Sequence, residues 1–373
     1  MKRRHVIATA LGVPAVLSAG CSSLGQTPPS AEQVQPRITV LFDAFCSETH
    51  LIKDWGYAAL IEIGGRRILF DTGNNGEILA HNARALGADL SRLDMVVMSH
   101  RHGDHMGGMA HLLSVNPKVT VYAPKEGFGV YGGDLPGSFY RRNEALPSQR
   151  RYYDGKPPAV MRFGAAWPGA NIQLIDKTTE LAPGVHVISL VSDKPGTLEL
   201  RELSLALSTP QGLVLVVGCS HPGIDRILEA AAKIDPRIHL ISGGMHMVVS
   251  KDDEIAKTID VMQNTYKVAY VAPGHCTGEP AFDAMSKAFG DRYLYSGVGA
   301  RLMIGVKPQT LISDGATRPV QPIGLSNDDR QGYRELAKAN DQKRRGLFAN
   351  LKYADLPNGA YLGQLQRSMM ACC

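Results

Sequence analysis

The segment Ser99-His100-Arg101-His102-Gly103-Asp104-His105 sets three histidines and an aspartate within six residues. Neutral imidazole and carboxylate are good ligands for zinc-like divalent ions, so the pattern H-x-H-x-D-H points to metal binding. An exposed polar histidine tract is the competing explanation. The irregular spacing, the internal acid and the apolar run before it, Asp94-Met95-Val96-Val97-Met98, argue against that. Such a short, bounded apolar run is what a buried strand looks like. Gly107-Gly108-Met109-Ala110-His111-Leu112-Leu113 then starts a helix. The cluster is therefore expected on a strand-to-helix turn, where side chains converge on one point.

Other reactive residues follow apolar runs in the same way. Asp71 comes after Ile68-Leu69-Phe70, and Cys219 and His221 after Val214-Leu215-Val216-Val217-Gly218. His246 comes after His239-Leu240-Ile241-Ser242-Gly243-Gly244, and His275 after Val271-Ala272-Pro273-Gly274. Polar residues at strand ends share a rim, where α/β-type sheets keep their chemistry. Cys219 and Cys276 each lie within two residues of a histidine, which is metal-site placement rather than a disulfide framework. Cys46, Cys372 and Cys373 carry no motif. His50, His81, His111, His186 and His239 are read as packed or solvated side chains.

The elements that must position these residues follow from the periodicities. Strands are expected at 38–42, 119–123, 172–175, 185–190, 238–241 and 268–271. Hairpins are expected at 57–63 with 67–70, around Gly64-Gly65, and at 203–207 with 213–217, around Pro210-Gln211-Gly212. Helices are expected at 77–86, from Pro222 to about 234, from Ser250 to about 262, and at 279–289. The segment 292–304 closes the domain. Many strands with interspersed helices suggest two packed sheets with helices outside, an α/β (α+β) class. The organisation is 1–20 signal peptide, 21–37 linker, 38–307 folded domain and 308–373 polar extension.

The first residues, Met1-Lys2-Arg3-Arg4-His5, precede an apolar run too short to span a bilayer and then Ser18-Ala19-Gly20-Cys21. This order resembles an export signal with a twin arginine and an imperfect lipobox, in which Cys21 would be lipidated after cleavage. The expected address is the periplasmic face of a bacterial membrane, with a Ser-, Gln- and Pro-rich tether after Cys21. Lys2, Arg3 and Arg4 account for three of the five net positive charges, so the remainder is close to neutral. Nothing in it argues for a nucleic-acid partner, and there is no P-loop or dinucleotide fingerprint.

Phe70-Asp71-Thr72-Gly73, the histidine cluster with Gly107-Gly108, Gly218-Cys219-Ser220-His221-Pro222-Gly223 and Pro273-Gly274-His275-Cys276-Thr277-Gly278 together resemble the metallo-β-lactamase superfamily. The likeness spans about 38–307. It is nearest to the branch of metal-dependent hydrolases that includes the dihydropterin-methyl-ribofuranosylaminobenzene phosphate synthases. The resemblance implies an αββα four-layer sandwich and two divalent ions, Zn2+ first and Fe or Mn as alternatives.

One departure stands out. Most of the superfamily has a histidine where this chain has Thr197-Leu198-Glu199-Leu200-Arg201-Glu202, and Cys219 occupies the usual position of a bridging aspartate. His221 is expected to replace the missing imidazole, with thiolate ligation by Cys219 as the alternative. One ion would then sit on His100, His102 and His221. The second would sit on Asp104, His105 and His275, with Cys219 or water between the two. Two ions at ~3.5–4 Å can share a hydroxide and hold substrate oxygens. Asp104 could also orient that water, and Asp71 would hold the cluster by hydrogen bonds. His246 matches a histidine typical of the branch and could donate a proton or bind an anion.

The stretch Phe139-Tyr140-Arg141-Arg142 … Arg150-Arg151-Tyr152-Tyr153 holds four arginines and four aromatics in fifteen residues. It reads either as a lid for a planar or anionic small-molecule substrate, through Tyr140, Arg141, Arg142 and Tyr152, or as a solvated loop. The function expected is an exported hydrolase whose metal-bound hydroxide attacks an ester, phosphoester or lactone-like bond. The alternatives are a transferase like the pterin-joining synthases and a non-catalytic metal-binding lipoprotein.

Overall fold

The computed structural model describes residues 35–312, apart from positions 47, 49, 127–130, 132, 139–140 and 164–166. Cys21, the expected signal and most of the tether, Tyr140, and the extension beyond position 312 lie outside the described residues.

The chain begins with β1 (Arg37–Phe42), the hairpin β2 (Ala58–Ile63) and β3 (Arg66–Phe70), and α1 (Gly76–Ala85). Next come β4 (Met95–Val97), the short α2 (Gly103–Met106), α3 (Met109–Val115) and β5 (Thr120–Pro124). The strands β6 (Gly133–Pro136) and β7 (Val160–Phe163) pair only with each other. They are followed by β8 (Asn171–Ile175), β9 (Thr179–Ala182), β10 (Val185–Val191), β11 (Arg201–Thr209) and β12 (Gly212–Val217). The last part holds α4 (Ile224–Ala232), β13 (Ile238–Gly244), α5 (Asp252–Asp260), β14 (Tyr270–Gly274), α6 (Glu279–Phe289), β15 (Arg301–Met303) and β16 (Gln309–Leu311).

Two large sheets form. One runs β16-β15-β1-β2-β3-β4-β5-β8 and the other β14-β13-β12-β11-β10-β9. Three apolar layers follow. Alternate residues of both sheets, among them Val40, Ile61, Phe70, Val187, Leu205 and Val216, face each other in the middle. The opposite face of the first sheet packs Leu60, Leu69 and Val96 against Leu79 of α1 and Leu112 of α3. The opposite face of the second packs Leu215 and Ile241 against α4, α5 and α6. This is the expected αββα sandwich. Each side chain taken fully out of water contributes about 1.5–3 kcal/mol.

Local chemistry sets the helices. Asn75 caps α1 by accepting from Glu77 N at 2.8 Å and Ile78 N at 3.3 Å. In α4, Ile224, Ile227, Leu228 and Ala231 bury one face at helical spacing. This helix starts after Gly223 rather than at Pro222, because the preceding turn is committed to the site described below. Its neighbour α5 starts at Asp252 rather than Ser250, where Glu254 Oε2 accepts from Lys251 N at 3.1 Å. The folded region also passes the expected boundary at 307. Met303 pairs with Gln309 and Arg301 with Leu311, so β16 adds an edge strand that its polar sequence does not advertise.

Candidate metal centre

The parallel strands β3 and β4 of one sheet, and β12, β13 and β14 of the other, all end at the same rim. The residues after them meet there. His100, His102, Asp104, His105, Cys219, His221 and His275 are all buried, none more than 7% exposed.

Asp71 is the hub below the cluster. Its carboxylate accepts from Ser99 N and Ser99 Oγ, both at 2.6 Å, and from His105 Nδ1 at 2.7 Å. That leaves His105 Nε2 aimed at the rim, 3.2 Å from Cys219 Sγ and 3.5 Å from Asp104 Oδ2. The second-sheet turn fits against this hub closely. A Cβ on residue 218 would run into Ser99 Oγ, so only glycine lets the turn approach.

The ring nitrogens form two groups. His100 Nε2 faces His102 Nδ1 at 3.0 Å, and His221 Nε2 faces the same His102 Nδ1 at 3.2 Å. On the other side, His275 Nε2 lies 3.2 Å from Asp104 Oδ2, beside His105. Ligand atoms of His100, Cys219 and His221 lie within 4.8 Å of one another, as do those of His105, Cys219 and His275. Cys219 is common to both groups. His221 and Cys219, weighed against each other from the sequence, thus stand together.

Electrostatics separate the two groups. Burial pushes His100 and His221 well below the usual imidazole range, helped by their neighbouring rings. Burial likewise takes His102 down to about 3, against the pull of Asp104. These three are neutral at pH 7, each ring keeping one lone pair for a ligand bond. A cation is what such a set of donors lacks. Burial also opposes charge on His105, but Asp104 and Asp71 outweigh it and raise the group to about 9. His275 is raised as well, with Cys276 and Asp104 overcoming its burial. Burial pushes the Cys219 thiol well up, so a nearby cation is needed to hold it as thiolate.

His246 also reaches the rim. Its ring lies 4.2 Å from that of His221, and its Nδ1 has no hydrogen-bond partner among the described residues. Asp71, Ser220, His246 and His275 all hold positive φ, between 47° and 62°. Non-glycine residues pay about 1–3 kcal/mol each for such conformations, and these cluster at functional sites.

Three positioning groups carry no motif. Glu202 of β11 is buried, and its carboxylate accepts from the backbone N–H of Cys219 at 2.9 Å, Ser220 at 2.7 Å and His221 at 2.8 Å. It lies in the very segment that lacks the usual histidine. Buried Asp43 accepts from His275 N at 3.0 Å and is pushed by burial to about 7. Tyr131 donates to His100 O at 2.6 Å. Arg101, between two candidate ligands, joins Glu126 in a buried ion pair at 2.5 Å. Neighbours i and i+2 hold His100 and His102 in the site while Arg101 anchors the loop. The arginine loop is different: Arg141, Arg142 and Tyr152 are exposed, and Arg142 Nη2 donates to Gly137 O at 3.3 Å.

Comparison with known proteins agrees with this geometry. Residues 66–147 match the model of the beta-lactamase superfamily domain. The chain is 27% identical to 7,8-dihydropterin-6-methyl-4-(beta-D-ribofuranosyl)-aminobenzene-5'-phosphate synthase of Methanocaldococcus jannaschii, over 63% of this chain and 84% of that protein. An uncharacterized protein of the same archaeon is 26% identical over 65% of this chain and 91% of its own length. The solved structure of Tm1679, a metal-dependent hydrolase of the beta-lactamase superfamily, superposes with a TM-score of 0.55 at 28% identity, over 72% of this chain and 99% of that one. Motifs, sandwich and relatives converge on a likeness to the metallo-β-lactamase superfamily.

Proposed function

We propose that this protein is a metal-dependent hydrolase of ester, phosphoester or lactone-like bonds. The observation that carries this is the pair of buried ligand groups meeting at Cys219 Sγ. His100, His102 and His221 would hold one divalent ion, and Asp104, His105 and His275 the other, with Cys219 between them. The donors suit Zn2+ best, and Fe or Mn next. When bound, two such ions acidify water and polarise substrate oxygens.

The chain's own groups supply the rest. Asp71 fixes the tautomer and direction of His105, leaving Nε2 as the ligand atom. Glu202 freezes the turn that carries Cys219 and His221. Asp104, whose Oδ2 faces His275 Nε2, would also orient the attacking water. His246, with its unpartnered Nδ1 beside His221, is placed to donate a proton to the leaving group. Arg141, Arg142, Tyr140 and Tyr152 would meet an anionic substrate from the loop.

A panel of phosphodiester, lactone and β-lactam substrates, with metal analysis, tests this reading. Turnover that survives in both His102→Ala and Asp104→Ala sinks it. A transferase reading is favoured by one observation, the 84% coverage of the pterin-joining synthase. Condensation of a dihydropterin with an aminobenzene ribofuranosyl phosphate, without hydrolysis of the panel, would establish that reading instead. The N-terminus is proposed to export and lipidate the protein at Cys21. Palmitate labelling that is unchanged in Cys21→Ala would refute the anchor.

A further inference from the structure

Cys276 is fully buried and stands outside the two ligand groups above, although with Cys219 and His246 it makes a third set of donors. Its sulfur nevertheless lies at the core of the site. Cys219 Sγ, Cys276 Sγ and a His246 ring nitrogen lie within 4.8 Å of one another, and Cys276 Sγ is 3.8 Å from the carbonyl of Cys219 itself. The two cysteines follow β12 and β14, which are separated by β13. They meet only because the strand between them ends in glycine. A Cβ on residue 244 would stand 2.9 Å from Cys276 Sγ and collide with Gly218 O. The sequence thus clears a path between two thiols that no strand pairing would bring together.

We propose that Cys219 and Cys276 form a reversible disulfide that controls ion loading. This rests on the reading above in one respect, that Cys219 lies between the ions. With hydrogen peroxide as oxidant, a thiolate of the pair attacks the peroxide O–O bond to give a sulfenic acid and hydroxide. The thiol of the other cysteine then attacks that sulfur, forming the S–S bond and releasing water. Together the thiols lose two protons and two electrons, and the peroxide is reduced to two waters. Once joined, Cys219 has no thiolate to offer, and both ligand groups lose the atom they share. A bound ion engages the Cys219 sulfur, so the loaded protein resists oxidation and the ion-free protein does not. A small dithiol reverses the step by thiol–disulfide exchange.

The test uses the full chain with Cys21, Cys46, Cys372 and Cys373 replaced by serine, leaving these two thiols. The ion-free protein is treated with stoichiometric peroxide, then analysed by thiol count, intact mass and peptide mapping. The expected result is loss of both thiols, a mass lower by two hydrogen atoms, and a peptide pair joined through Cys219 and Cys276. Zn2+ uptake should fall at least tenfold and return on reduction, and zinc-loaded protein should keep its thiols. Adding Cys276→Ser should abolish the cross-link while the reduced protein still takes up zinc. Added oxygen on separate sulfurs without a cross-link overturns the proposal, as does a cross-link that leaves zinc uptake unchanged. The two-ion reading is judged separately, by the zinc stoichiometry of the reduced protein before any oxidant is added.

Discussion

The two halves of the candidate metal centre are built largely from histidines at one depth, yet those histidines rest in opposite states. His100, His102 and His221 are buried and held neutral. His105 and His275 are equally buried and are held toward the charged form. The difference is anionic neighbours. Asp104 and Asp71 reach His105, and Cys276 and Asp104 reach His275, whereas burial outweighs the pull of Asp104 on His102 and the first three face chiefly one another. Burial alone makes a set of lone pairs, and burial beside acids makes a site that stores a proton until a cation replaces it.

Removing the acid at the centre should break this contrast most severely. In Asp104→Asn the second half should come to resemble the first, and its ion should be lost. Metal analysis should then give one equivalent where the parent gives two, with turnover abolished. Removing the hydrogen bonds beneath each half is the next largest effect. Asp71→Asn should weaken uptake at the second half, and Glu202→Ala at the first, each by about 10–100-fold. Competition titration against a chelator would read both, and equal losses at both halves from either change would end the distinction.

The pH dependence sharpens it further. A raised His105, near 9 in the ion-free protein, must give up its proton for a ligand, so affinity at the second half should climb as pH rises from about 6 to 9. The imidazoles of the first half, with His102 near 3, release no proton over the same window, so its pH dependence should be the shallower one, set by the shared Cys219 thiol alone. Calorimetry in buffers of different ionisation enthalpy would count the protons released by each ion. The smallest effect is expected far from both halves. Arg141→Ala with Arg142→Ala should change stability by no more than about 0.5 kcal/mol, since both side chains are exposed. A rise in KM for anionic substrates at unchanged kcat would mark them as substrate contacts.

Much of this was legible in the residues. The ligands sit in short motifs directly after apolar runs, so strand and chemistry announce each other within a few residues. The sandwich followed from the same runs. Of the carboxylates that hold the ligands, Asp71 was legible from its motif, and Glu202 and Asp43 were not. Glu202 lies 17 residues before Cys219, and Asp43 lies 232 before His275. Each is a single acid in an ordinary strand context, and its role exists only once the sheets pack. Arg101 shows the same limit inside the best motif: its partner Glu126 is 25 residues away. The edge strand Gln309–Leu311 was missed because an edge needs one neighbour and little apolar character.

The meeting of the two sheets at one rim has a mechanical consequence. His100 to His105 hang from one layer, and Cys219, His221 and His275 from the other. Any ion gripped by both works as a rivet through the seam. The cohesion of the layers then varies with the free ion concentration around the protein, by about 2.7 kcal/mol for each rivet at a hundred times its dissociation constant.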